Sequence, residues 1–245
     1  MTRDYADYRR FKGWDALFAP TPRQALLFET EFGRFFGGGG GYLIDVGFGS
    51  GAFLEWARRR GASVAGTEIQ PDLMLAAADR GIRAAPNLCG FESHCADIVT
   101  AFDVLEHLPI SGIDELLAQV ARVLKTGGTF IARFPNCQSP AGLIDQFGDA
   151  THVTMLSAPI VSHCLSCAGF VDIVSAEALN DGDVGLTVFE TAANFLKRKA
   201  RRVTRLAYRL AFGSGNALLS ANVLVVATSP AHANESDEQG AGQVN

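Results

Sequence analysis

The stretch Ile44-Asp45-Val46-Gly47-Phe48-Gly49-Ser50-Gly51 decides the fold, because an apolar run carrying one acid breaks into three alternating glycines just where a helical pattern begins. Glycine has no Cβ, so the backbone can turn sharply there and approach a ligand closely, and the next helix offers unpaired N–H groups and a positive dipole end. Glu68 closes the next apolar run, Ser63 to Glu68, seventeen residues after Gly51. In a parallel α/β sheet both features fall at the C-terminal edges of neighbouring strands, where a carboxylate accepts hydrogen bonds from both hydroxyls of a ribose. Turn and acid together predict an adenosine-bearing cofactor, held by Asp45, Gly47, Phe48, Gly49, Gly51, Glu68 and Ile69.

Two cofactor classes fit that turn. Gly47-x-Gly49-x-x-Ala52 satisfies the dinucleotide fingerprint, which reads as an NAD(P)-dependent oxidoreductase. Asp45, two residues before the first glycine, opposes a pyrophosphate and suits a cationic ammonium. S-adenosylmethionine carries that ammonium and no phosphate. A module that binds cofactor without turnover, and docks partners through a basic helix, is a third reading.

Outward from the turn, apolar runs alternate with helical patterns as repeated βα units do. Candidate strands are Tyr42–Val46, Ser63–Glu68, Asp97–Phe102, Thr129–Phe134, Phe170–Val174 and Val223–Thr228; candidate helices are Gly51–Arg60, Pro71–Arg80, Ile113–Lys125 and Ala158–Ala168. Ser111 with Asp114 reads as a capping box, and Thr126-Gly127-Gly128 as a helix stop. The segment Gly81–Cys95 stays open: Ile82–Ala85 suits a short strand, but Pro86, Asn87 and Gly90 interrupt any regular element beyond it. Gly37–Gly41 reads as a connector between an N-terminal helical arm, residues 1–36, and a domain spanning 42–228. The polar tail 230–245 is expected to be disordered.

The chain has 245 residues, 48% hydrophobic and 19% charged, which suits one globular domain and excludes a collagenous, coiled-coil or wholly disordered chain. A net charge of -5 argues against a nucleic-acid partner. Five cysteines cannot all pair, no apolar run is long enough to span a membrane, and residues 1–20 carry no signal-like apolar stretch. A cytoplasmic protein is expected.

The chain from Tyr42 to Thr228 resembles the class I S-adenosylmethionine-dependent methyltransferases. Asp45, Gly47, Gly49 and Gly51 match the glycine motif, Glu68 the ribose-binding acid, Phe102–Leu108 (FDVLEHL) the fourth-strand motif, and Leu116–Asn136 the helix, glycine turn and fifth strand after it. The resemblance implies an α/β, Rossmann-like fold with a seven-stranded, mostly parallel sheet in the order 3-2-1-4-5-7-6, strand seven antiparallel, and helices on both faces. Many members carry an acid after strand three for the adenine amino group; this chain offers Asn87 there.

Asp103, Glu106 and His107 come after strand four at the ligand edge, Asp103 beside the cofactor. A histidine there titrates near neutral pH and can take a proton from a hydroxyl acceptor. His152, in the loop after strand five, faces the same region, so Glu106, His107 and His152 are the candidate catalytic residues. With Asp103 they form an oxygen and nitrogen set able to hold a divalent metal and lower the pKa of an acceptor hydroxyl. Similar acid-x-x-acid-His patterns hold a metal in small-RNA 3'-terminal ribose methyltransferases and occur in ubiquinone-pathway O-methyltransferases. Local capping by Glu106 and His107 remains the alternative. His163-Cys164-x-x-Cys167 lies within one helix and reads as packing rather than as a zinc site, and His94 and His232 carry no argument.

From Thr191 to Ser229 there is no acid, while Lys197, Arg198, Lys199, Arg201, Arg202, Arg205 and Arg209 are cationic. Phe189, Ala193, Leu196, Ala200, Val203, Ala207 and Leu210 form one helical stripe, giving a basic amphipathic helix within an insertion at 177–221. It suits either a lid bordering the acceptor pocket, together with the loop 135–157, or peripheral contact of 191–212 with an anionic membrane at its inner face. The stretch PNCQSP…FGDATH is similar to segments of bacterial methyltransferases of polysaccharide and lipopolysaccharide assembly. The acceptor this implies is a small molecule, a glycan or a lipid-linked saccharide.

Overall fold

A strand forms at each of the six apolar runs that predict one, and a seventh forms in the segment left open. In a computed structural model of the chain, residues 9, 12–36, 41–213 and 218–230 are described. The strands are β1 (Tyr42–Val46), β2 (Ser63–Thr67), β3 (Arg83–Ala85), β4 (Ala96–Phe102), β5 (Leu124–Pro135), β6 (Val171–Glu177) and β7 (Asn222–Thr228), in the order β3-β2-β1-β4-β5-β7-β6. β7 runs antiparallel to both β5 and β6. All other pairings are parallel, so β1, β2, β4, β5 and β6 end at one edge. The expected Rossmann-like topology is the observed one.

The helices are α1 (Pro22–Phe32), α2 (Ala52–Arg59), α3 (Pro71–Ala78), α4 (Ile110–Val123), α5 (Pro140–Gly148), α6 (Ala158–Cys167) and α7 (Val188–Phe212). Strand side chains alternate between two cores because the period of a strand is two. Ile44, Val99, Phe130 and Ala132 pack with Ile113, Leu117, Val120 and Val123 of α4 and with Val161 and Leu165 of α6. Leu43, Ile98 and Ile131 face the other way, against Phe28 and Phe32 of α1, Phe53 and Leu54 of α2 and Leu73 of α3. Helices therefore cover both faces.

Several boundaries differ from the sequence reading, each for a local reason. α4 begins at Ile110 with Pro109 at its N-cap, φ -64° and ψ 161°, so Ser111 lies inside the first turn and no Ser111–Asp114 capping box forms. The proline sets the extended entry and lacks an N–H, so the helix starts at once. α4 then runs straight into β5, and Thr126-Gly127-Gly128 lies within the strand, with Gly127 at φ +73°. β3 is the short strand whose assignment was open. α5 falls in the stretch read as loop; its signal was Ser139 before Pro140, and Ser139 indeed caps the helix through Ala141 N–H at 3.2 Å. Residues 37–40 of the expected connector, the tail beyond 230 with its His232, and most of 1–11 lie outside the described residues.

Candidate functional site

The glycine turn joins β1 to α2 as its sequence demands. Gly47, Gly49 and Gly51 all have left-handed backbones, φ +66°, +50° and +71°, which favour glycine over any residue with a Cβ. The space around them is equally restrictive. A Cβ on Gly47 would come within 2.9 Å of Val104 Cγ2, one on Gly49 within 2.7 Å of the Trp14 ring, and one on Gly51 within 2.3 Å of the Phe18 ring. The arm before α1 thus lies over the turn, anchored by Phe18 N–H donating to the Ser50 carbonyl at 2.7 Å.

Beside the turn opens a cavity of about 430 Å³, lined by Lys12 and Trp14 of the arm, Val46 and Gly47 at the end of β1, Thr67 to Gln70 at the end of β2, Pro86 to Leu88 after β3, and Phe102 to Val104, His107, Leu108 and Leu116. That volume suits a small-molecule site. The arm, the ends of four parallel strands and α4 supply its wall.

Glu68 sits on the wall, buried to 7% exposure. Its carboxylate accepts from Gly49 N–H at 3.1 Å, Ile69 N–H at 2.7 Å and Gln70 N–H at 3.1 Å. A carboxylate has about four lone-pair sites, so three are in use, and a ribose diol would take the last and share another. Gly47, Ile69 and Asp103 also line the cavity. Asp45 lies just behind it, wholly buried, accepting from the Thr100 hydroxyl at 2.6 Å; burial pushes its pKa up to about 7. Phe48, expected at the cofactor, instead turns into the core against Phe18, with ring centroids 5.9 Å apart. Gly49 and Gly51 shape the bend beneath Trp14 and Phe18 rather than the wall. Asn87 is on the wall, where its side chain also caps the next turn through Cys89 N–H.

Asp103 leaves β4 with φ +55° and pairs with Arg133 of β5. Three residues on, Glu106 is completely buried, and neither carboxylate oxygen has a hydrogen-bond partner. Burial, reinforced by Asp103, raises its pKa well above the usual carboxylate range. The structure brings it together with the other two candidates: ligating atoms of Glu106, His107 and His152 lie within 4.8 Å of one another. The two imidazoles meet edge to face, centroids 4.7 Å apart.

The tautomers are set by the hydrogen bonds. Thr151 Oγ1 donates to Asp149 at 2.6 Å, so toward His107 Nδ1, 3.0 Å away, it accepts. His152 Nδ1 faces the Gln146 carbonyl at 3.0 Å and must donate to it. Both rings therefore keep the basic lone pair on Nε2, and that of His152 is 3.9 Å from both Glu106 and Asp149. Burial first, and His152 second, hold the His107 pKa below its ordinary value, so the ring is neutral near pH 7. Burial opposes the charge on Asp149, but the Thr151 hydrogen bonds and the Lys12 ammonium, 2.9 Å away, outweigh it and keep this carboxyl below the usual range.

Sequence reasoning missed Lys12, Trp14, Asp149, Thr151 and Arg133. Arg133 had a visible signal, a cation in the middle of an apolar strand. The arm residues had none, because only folding brings positions 12–18 over position 49. α7 contributes no residue to the lining of this cavity. His163 and Cys167 of α6 are exposed, Cys164 is buried, and all five cysteines are unpaired. No helix among the described residues is long and apolar enough to cross a membrane.

Residues 44–132 match the family described as Methyltransferase domain. The Ubiquinone biosynthesis O-methyltransferase of Xanthomonas oryzae pv. oryzae is 29% identical over 99 residues, which are 36% of this chain and 41% of that protein. Among solved structures, a SAM-dependent methyltransferase from Archaeoglobus fulgidus is similar with a TM-score of 0.58 at 20% identity, covering 80% of this chain and 89% of that one. The Haemonchus contortus phosphoethanolamine N-methyltransferase 2 in complex with S-adenosyl-L-methionine is similar with a TM-score of 0.57 at 16% identity, covering 94% and 60%. At these identities the structures share the fold.

Proposed function

We propose, from the match of residues 44–132 to a methyltransferase domain and from the sheet order and glycine turn, that the chain is a class I S-adenosylmethionine-dependent methyltransferase that transfers a methyl group to an oxygen of a small-molecule, glycan or lipid-linked saccharide acceptor. The domain match sets aside the nicotinamide reading of the glycine turn. S-adenosylmethionine, when bound, supplies a methyl group on a cationic sulfur, open to in-line attack.

The chain's own part is chiefly positioning, which is worth about 7 to 11 kcal/mol of barrier. In this reading Glu68 and Gly47 hold the nucleoside end, with Ile69 and Asn87 beside the base. Asp45 attracts the ammonium of the amino-acid portion from behind the turn, and Asp103 bounds the same space. Nε2 of His107 takes the acceptor proton, while Thr151 and Asp149 hold the ring and stabilise its charge.

The observation that carries the oxygen acceptor is Glu106, a fully buried carboxylate with no hydrogen-bond partner that lies beside the imidazoles of His107 and His152. A buried polar group without a partner costs stability, so such a group is best explained by a bound one. A divalent cation held by Glu106, His107 and His152 is the second reading: it would lower the pKa of an acceptor hydroxyl in place of His107 acting as base, because both roles need the same Nε2 lone pair. The enzyme works in the cytoplasm on this reading.

The test is incubation with isotopically labelled S-adenosylmethionine and cell extract, then fractionation. Label in a saccharide, lipid or small-molecule fraction, on oxygen and reduced by chelation, supports the proposal. S-adenosylhomocysteine binding without label in any fraction would instead identify a silent cofactor-binding module. Asp45→Ala is expected to abolish cofactor binding, and His107→Ala to spare binding while slowing transfer about a hundredfold or more.

A further inference from the structure

α7 is amphipathic in the direction opposite to that of an ordinary surface helix. Its polar side faces the protein: Glu190 pairs with Arg23, Asn194 is buried, Lys197 donates to the Gly182 carbonyl, Arg201 pairs with Asp183 and Arg205 with Glu177. At about 100° per residue these positions fill one arc of the helix. The opposite arc is mostly apolar and turned to solvent, with Lys199 lying within it. Val188, Phe189, Leu196, Val203, Leu206 and Leu210 on it are 57 to 88% exposed.

A helix normally buries its apolar stripe in the core, and monomers seldom leave a contiguous apolar face in water. Here a capping box at Thr187 and Glu190 starts the helix and Gly213 ends it in a left-handed cap, so its 25 residues are built as a helix and docked by charge. Arg198, Arg202 and Arg209 are exposed along one margin of the apolar arc and form no ion pair among the described residues. The helix carries seven cations and one acid. An apolar face edged with arginines matches a surface that is oily below and negative above, whereas a nucleic acid would leave the apolar arc uncovered.

We infer that α7 is a membrane-docking helix that lies flat in the headgroup region of an anionic bilayer, its apolar arc inserted and Arg198, Arg202 and Arg209 on lipid phosphates. The inference stands on the geometry of α7 and does not depend on methyl transfer.

Co-sedimentation of the full chain with lipid vesicles tests it. Binding is expected to vesicles of phosphatidylglycerol and phosphatidylcholine in equal parts at low salt, weaker at about 0.5 M salt, and near absent with phosphatidylcholine alone. Leu196→Ser with Val203→Ser should weaken binding at least about tenfold, and Arg198→Ala with Arg202→Ala about thirtyfold. The second pair leaves the apolar arc intact, so it keeps the test sharp if the first pair lowers helix content by circular dichroism. Equal binding to neutral vesicles, or none to either, overturns the inference. So does a dimer in light scattering that Leu196→Ser with Val203→Ser splits without any vesicle binding, since a second copy would then cover the arc. Binding of an RNA oligomer in place of vesicles overturns it as well.

Discussion

Asp45 is a side chain whose burial is costly to the protein, and the proposed function gives that cost a use in holding the cofactor's ammonium. Its pKa of about 7 comes from burial, offset in part by the Thr100 hydroxyl. An acid whose folded pKa lies above its unfolded value of about 4 binds more protons folded than unfolded between those two, so this group's effect on stability worsens as pH rises through that window and levels off above it. Asp45→Asn should therefore match the parent near pH 4 and resist urea better at about pH 8, by up to about 4 kcal/mol. In the parent, affinity for S-adenosylhomocysteine should tighten between about pH 6 and pH 8, a trend that titration calorimetry should find missing in Asp45→Asn. A flat profile in the parent would remove Asp45 from the ammonium site. At Gly51, left-handed φ and the Phe18 ring act together, so Gly51→Ala should cost about 1–3 kcal/mol in unfolding measurements and weaken cofactor binding too.

Among the elements, α4 shows what a helix contributes when its stripe is correctly buried. Ile113, Leu117, Val120 and Val123 are fully buried against β4 and β5, and the helix leads without a loop into the strand beside the site. Leu117→Ala should cost about 3 kcal/mol in chemical denaturation with no direct effect on the cavity, since Leu117 is not among its lining residues. A loss below about 1 kcal/mol would show that the helix packs loosely. α7 presents the reverse case. Its wheel was legible in the sequence as a basic amphipathic helix, but which side would face the protein was not, because that depends on Glu177, Asp183 and Arg23 meeting it from other elements.

For the whole molecule, the decisive contact is between the arm and the sheet edge. Trp14 and Phe18 cover the glycine turn, while Lys12 reaches Asp149, itself joined through Thr151 to His107. The arm and the histidine are thereby linked through Asp149 and Thr151. Saturating S-adenosylhomocysteine should stabilise the fold by about 2.7 kcal/mol at a hundred times its Kd and slow tryptic cleavage after Lys12. Trp14→Ala should lose most of that protection and raise the KM for cofactor, with a smaller change in kcat. Equal protection in Trp14→Ala would mean that the arm does not close on the ligand.

Most strands and helices, the glycine turn and the acid after β2 were legible because each rests on local pattern: periods of two and 3.6, residues without a Cβ, an acid ending an apolar run; the strand order and the two helical layers were expected from the family resemblance alone. Glu106, His107 and His152 could be named in advance, since residues just past strands four and five fall at one edge. The unpartnered carboxylate of Glu106 and the tautomers of the two rings could not, because burial and the Thr151–Asp149 chain are properties of packing. Nor could the arm over the turn, the core-facing Phe48 or the outward apolar arc of α7 be read ahead. Local spacing determines which elements form, but which face of each is hidden depends on residues far apart in sequence, and only the folded chain brings those together.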